Sequence, residues 1–190
     1  MRVLGYYDAY LGLLSSMNFR APASNRVLDI GCGTGAFAEA WVAIQGPSQS
    51  LSLLDPSPKM LRAASAALRV RGVAAEEFAT TTQAFRPDEP FHCLLAAHVI
   101  EHADDPVAML RDFRRYLGED GRLWLVVSKP HWCNAIIWFK WRHRAYGPDR
   151  VREMLDQAGW AVDMEYAFPS GPPSRTSRGY LAKPVPSGTP

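Results

Sequence analysis

Cysteine, unbalanced charge and long apolar runs are all scarce in this chain of 190 residues. Its three cysteines, Cys32, Cys93 and Cys133, are odd in number, far apart and without CxxC spacing. That argues against a disulfide framework and against a zinc site, and no metal is expected. Twenty-one basic and 19 acidic side chains leave a net charge of +2, too little to imply nucleic acid or an anionic membrane as an obligate partner. Nowhere do about 18 apolar residues follow one another, and the richest stretch, Ala135 to Phe139, is far too short to cross a bilayer. Asp8 interrupts the apolar N-terminal stretch, so no signal peptide is read and a cytoplasmic address is expected. A composition of 47% hydrophobic and 21% charged residues excludes whole-chain disorder and collagen-like or coiled-coil architectures.

What is present is an alternation. Strand-sized, nearly continuous apolar runs occupy 26–30, 50–54, 91–96 and 122–127, the pattern of parallel strands covered on both faces. Helical spacing occupies 35–45, 58–70 and 105–116, with Pro58 in a first turn and Asp104 read as an N-cap. A further helix at 149–158 is ended by Gly159; residues 160–168 alternate as a strand, 170–174 read as a loop, and 178–182 form a short antiparallel last strand. The prediction is an α/β fold: a doubly wound, mostly parallel sheet with a C-terminal antiparallel hairpin. Residues 1–183 are expected to form one domain, with an N-terminal helix within 1–20, an insertion at 129–147 and a frayed tail at 184–190.

The stretch Val27-Leu-Asp-Ile-Gly-Cys-Gly-Thr-Gly35 runs from a strand into a glycine turn and then a helix. Glycines there allow close backbone approach, and the helix N-terminus offers N–H groups to a ligand. Gly31, Gly33 and Ala36 also satisfy the GxGxxG/A dinucleotide spacing, so an NAD-type reading stands beside any other. Asp29 shifts the balance, because a carboxylate just before the turn repels pyrophosphate and attracts an ammonium group. Asp55, at the end of the second strand, is placed to accept hydrogen bonds from ribose hydroxyls. A ligand with both a ribose and a cationic amino-acid end is S-adenosylmethionine.

On these residues the chain resembles the class I S-adenosylmethionine-dependent methyltransferases, with their Rossmann-like fold. VLDIGCGTG at 27–35 is similar to their first motif, LLDPSPKML at 53–61 to their ribose-binding segment, and HVIEHADDP at 98–106 and GEDGRLWLVV at 118–127 to the segments around their fourth and fifth strands. The resemblance implies that Asp29, Gly31, Gly33 and Gly35 cradle the methionine part and that Asp55 binds the ribose. It further implies that Pro56 and Met60 lie against adenine and His98 near the methionine end. The family often has an acidic residue after its third strand for the adenine amino group; here the region reads Ala79-Thr-Thr-Thr-Gln83, leaving Thr81, Thr82 or Gln83 to substitute.

A methyltransferase reading needs an acceptor, and the sequence does not identify it. His98, Glu101, His102 and His131 are the candidate bases, all near C-terminal strand ends where open α/β sheets bind ligands. For Glu101 and His102 a role in holding the loop competes with catalysis. The insertion combines Trp132, Trp138 and Trp141 with Lys140, Arg142, His143 and Arg144. A lid over the acceptor, a helix packed on the core, and surface docking through Trp138, Lys140, Trp141, Arg142 and Arg144 are its three readings. Two further functional readings remain: a non-catalytic cofactor-binding module of the same fold, and an NAD-type oxidoreductase.

Overall fold

The computed structural model describes residues 5–16, 19, 21, 24–47, 50–131 and 144–186. Seven strands among them form one sheet: β1 (Arg26–Ile30), β2 (Ser50–Leu54), β3 (Ala75–Phe78), β4 (Phe91–Ala97), β5 (Leu117–Ser128), β6 (Trp160–Tyr166) and β7 (Ser177–Pro184). Their order is β3-β2-β1-β4-β5-β7-β6. The first five are parallel, while β7 enters antiparallel between β5 and β6. The helices are α1 (Tyr6–Ser15), α2 (Ala36–Gln45), α3 (Pro58–Arg69), α4 (Pro106–Arg115), α5 (Pro148–Gln157) and α6 (Gly171–Thr176).

Side chains of successive strand residues point to opposite faces, and each face has its own core. Trp124 and Val126 of β5 join Tyr10 and Leu13 of α1, Phe37 and Trp41 of α2 and Leu61 and Leu68 of α3. Leu123, Leu125 and Val127 join Leu110 and Phe113 of α4 and Met154 and Leu155 of α5 on the other face. Within β1 the polar residue that follows Arg26 is Asp29, which lies on the Val27 side and points among the α2 residues.

Four details differ from the sequence reading. β3 was not among the apolar runs, because as an edge strand of sequence Ala-Glu-Glu-Phe it is covered too little to need an apolar pattern. The N-cap of α4 is Asp105 and not Asp104: its Oδ1 accepts the Ala108 N–H at 2.9 Å, and Pro106 takes the first helical position. Residues 171–176, of which 171–174 were read as loop, form the short α6. Order also continues past 183, since Pro184 pairs with Trp160 and the Val185 N–H donates to the Gly159 carbonyl; residues 187–190 lie outside those described.

Candidate active site

The parallel order brings the C-terminal ends of β1, β2 and β4 side by side, and the chemistry-bearing residues gather there. After β1 the chain turns through Gly31, Gly33 and Gly35, with φ of 61°, 52° and 82°, a region that side chains other than glycine rarely enter. The turn is tied to β2. Gly31 and Cys32 donate their N–H groups to the Leu54 carbonyl at 2.7 and 3.2 Å, and Gly33 donates to Asp55 Oδ2 at 3.0 Å. Asp55 Oδ1 accepts the Ser57 N–H at 2.8 Å, so one carboxylate fixes both the turn and the start of α3.

The three glycines are not equivalent. A Cβ at Gly33 would have nothing nearer than 4.0 Å, which leaves that part of the turn open to a ligand. A Cβ at Gly35 would lie 2.9 Å from Ala64 of α3, so Gly35 serves the packing of α3 on the turn.

Asp29 is 1% exposed, and its Oδ2 accepts the Ala38 N–H of α2 at 3.2 Å. Burial, with the Asp55 charge adding to it and the Ala38 bond opposing it, pushes its carboxyl up to about 8. It lines a cavity of about 260 Å³ with Tyr10, Gly31, Gly33, Phe37 and Met60. A second cavity, of about 470 Å³, is lined by Asp55, Pro56, Thr80 to Gln83, His98 and His102. Gly31 lines both. Pro56 and Met60, grouped on adenine by the resemblance, thus part company: Pro56 lines the Asp55 cavity and Met60 the Asp29 cavity. The Thr81-Thr82 segment is held from beneath, because the Thr82 carbonyl accepts the Tyr116 hydroxyl and its own hydroxyl donates to Gln83 Oε1 at 3.2 Å.

At the end of β4, His98 has φ 57°, the positive value of a non-glycine residue, while its N–H still donates to the Val126 carbonyl at 2.9 Å. Its Nδ1 lies 2.9 Å from Ser128 Oγ and 3.3 Å from Glu101 Oε1. Glu101, on the 3-10 turn Ile100–His102, is 2% exposed and accepts the Ser128 N–H at 2.6 Å. Burial alone would raise its carboxyl; the His98 bond and charge and the Ser128 N–H outweigh that and hold it below the usual carboxylate range. Tyr6 of α1 meets the His98 ring edge-on at 5.2 Å, and its hydroxyl lies 3.0 Å from Thr176 Oγ1 and 3.2 Å from Ser177 Oγ. Two segments remote in sequence, those of Tyr6 and Ser128, therefore join the neighbouring Glu101 around one imidazole.

His102 is exposed and lines the larger cavity, whereas His131, half-buried, is not among the residues lining either one. Trp132, Trp138, Lys140, Trp141, Arg142 and His143 lie outside the described residues, and with them the three readings of the insertion. Arg144, exposed and one of the residues named for surface docking, donates its Nη1 to the carbonyls of Ala103 and Asp104 at 3.0 and 3.1 Å. Sequence reasoning missed Ser128, which ends an otherwise apolar strand, and gave Tyr10 no chemical role; a polar residue closing an apolar strand was the available signal for Ser128.

A family model described as a methyltransferase domain matches residues 6–181. The ubiquinone/menaquinone biosynthesis C-methyltransferase UbiE of Pseudomonas putida is 35% identical over 112 residues, which is 57% of this chain and 44% of that protein. The chain thus spans less than half the length of that relative. Among solved structures, a putative methyltransferase of Bacillus halodurans superposes with a TM-score of 0.75 at 17% identity, over 93% of this chain and 99% of that one. The magnesium protoporphyrin IX methyltransferase of Synechocystis PCC 6803, solved with bound S-adenosylmethionine, gives 0.69 at 16% identity, over 96% and 80%. With the family model covering nearly the whole described chain and the sheet order matching these folds, the chain belongs to the class I S-adenosylmethionine-dependent methyltransferase family.

Proposed function

We propose that this protein transfers a methyl group from S-adenosylmethionine to a small organic acceptor. The observation that carries the reading is the pair of carboxylates at adjacent strand ends, Asp29 and Asp55, each lining its own cavity, with Gly31 common to both. The residues fit the cofactor. Asp29 suits the ammonium group, Asp55 the ribose hydroxyls, and Pro56 with Thr81, Thr82 and Gln83 the adenine. When bound, the cofactor supplies a methyl group on a sulfonium sulfur, whose leaving group is a neutral thioether.

The chain's own contribution is chiefly alignment, which for well-oriented reactants is worth roughly 7–11 kcal/mol. His98 is the base: its Nδ1 is held between Glu101 and Ser128, and its ring lines the larger cavity, where the acceptor's proton would be taken. Such a base adds about 10²–10⁴-fold where the acceptor must lose a proton. Glu101 and Ser128 position the ring, and Tyr6 packs against its edge. His102 lies at the rim of the larger cavity, and a catalytic role for His131 has no support from either cavity.

The test is calorimetry with S-adenosylhomocysteine and, separately, with NAD, followed by a labelled methyl-transfer screen against metabolite extracts with mass spectrometry of the product. Thioether binding and labelled product are expected. Tight NAD binding without a response to the thioether would sink the reading; thioether binding without any labelled product would favour a non-catalytic module of the same fold.

A further inference from the structure

Tyr6 and Tyr10 lie one turn apart on α1 and face the same way, yet their hydroxyls fare differently. Tyr6 reaches two hydroxyl partners. Tyr10 is 1% exposed, its ring stacks on Phe37 at 4.5 Å, and its hydroxyl has no hydrogen-bond partner among the described residues. A buried polar group left in that state calls for an explanation. The indole nitrogens of Trp41 and Trp124 are also unpaired, but those rings pack edge-to-face in the core and line neither cavity. Tyr10 lines the cavity that holds Asp29.

The glycine turn itself has few donors to give a ligand. The N–H groups of Gly31 and Cys32 are engaged by Leu54, that of Gly33 by Asp55, that of Gly35 by Cys32, and that of Ala38 by Asp29. An amino-acid end entering this cavity brings an ammonium, which suits Asp29, and a carboxylate, which Asp29 repels. That carboxylate needs a hydrogen-bond donor.

We propose that the Tyr10 hydroxyl is this donor, hydrogen-bonding the carboxylate of the cofactor's amino-acid end and making α1 a wall of the cofactor site. The assignment rests on the cofactor reading proposed above. Burial first, then the charges of Tyr6, Asp29 and Glu101, hold the Tyr10 phenol well above its ordinary value, so it stays protonated and able to donate.

Tyr10→Phe removes the hydroxyl and keeps the stacked ring. Binding of three ligands is measured by calorimetry: S-adenosylhomocysteine, its decarboxylated analogue, which keeps the ammonium, and 5′-methylthioadenosine, which has neither group. In the variant, S-adenosylhomocysteine affinity is expected to fall about 10- to 100-fold, as for loss of a bond to a charged group. The other two ligands should stay within about twofold of wild type, and the melting temperature should hold or rise because an unpaired buried hydroxyl has gone. Unchanged S-adenosylhomocysteine affinity overturns the assignment, and so does an equal loss for all three ligands. A wild-type protein that binds none of the three overturns the site reading itself, and with it this role for Tyr10.

Discussion

Asp29 and Glu101 are both carboxylates buried at the ends of adjacent strands, β1 and β4, and their surroundings drive them in opposite directions. Asp29 has one backbone donor, at 3.2 Å, and a second carboxylate, Asp55, nearby; burial prevails and its carboxyl is neutral in much of the protein at pH 7. Glu101 has His98 and the Ser128 N–H, and stays charged despite burial. One region carries its counter-charge within the chain. The other is built around a charge that only a ligand completes. On the function proposed above, two buried acids pushed apart in this way divide the site into a part that binds and a part that handles protons.

Glu101 offers the largest effect with which to break that contrast. Glu101→Ala takes the carboxylate away from the Ser128 N–H and from His98 Nδ1, which keeps Ser128 Oγ, and loss of one member of a buried pair costs about 3–5 kcal/mol. Chemical denaturation measures it, and a loss well below that range would mean that His98 and Ser128 find other partners. Glu101 also sets an acid limit. Its folded value lies below the unfolded one, so its contribution to stability is present above the ordinary glutamate range and is lost as pH falls through the depressed value.

Asp29 predicts the opposite pH response and a smaller effect. Its folded value of about 8 lies above the unfolded value, so the native state binds more protons and the ligand-free protein loses stability as pH rises toward 8. An ammonium ligand prefers the ionised form, so the affinity for S-adenosylhomocysteine should rise between pH 6 and 8, by at most about tenfold per pH unit, with release of a proton. Calorimetry in buffers of different ionisation enthalpy counts that proton. Asp29→Asn should abolish the pH dependence and weaken binding by about 1.5–3 kcal/mol, the range for a charge-assisted bond. If the variant binds as tightly as wild type at pH 8, the ammonium lies elsewhere.

The same division explains how much was legible in the sequence. Asp29, the glycine turn and Asp55 fall within two short stretches of chain, and each local feature has a local cause: tight turns need glycine, and a polar residue inside an apolar strand needs a reason. The His98 region is assembled from afar. Ser128 is 30 residues from His98, and Tyr6 is 170 from Thr176, so no spacing within one segment announces them. Edge strand β3 was hidden because two of its four residues are glutamates, Glu76 and Glu77, and both are exposed. Gly35 looked like a ligand-facing glycine because the motif does not reveal that Ala64 sits against it. Tyr10 sits in the N-terminal helix expected within 1–20; such a helix could close one side of the pocket, but an inward-facing tyrosine is as readily the ordinary pattern of packing.

Arg144 gives the smallest effect and separates two readings of the insertion at its downstream end. Its guanidinium joins the carbonyls of Ala103 and Asp104, in the loop that follows Glu101 and His102, to the chain leading into α5. It therefore lies against residues that line the larger cavity and not the Asp29 cavity. Removing two bonds at an exposed side chain in Arg144→Ala should cost only about 0.5–1 kcal/mol of stability. Ala103 and His102 line the larger cavity, so the loosened loop should change KM for the acceptor while S-adenosylhomocysteine affinity stays near wild type. Arg144→Lys keeps the charge but not the planar fork that spans two neighbouring carbonyls, and should behave like the alanine variant. If instead Lys restores wild-type behaviour and Ala loses binding to anionic vesicles in a salt-sensitive way, Arg144 acts as a surface charge. In that outcome the contact with the Ala103 loop is incidental, and the contrast between the two carboxylate regions does not extend to this end of the insertion.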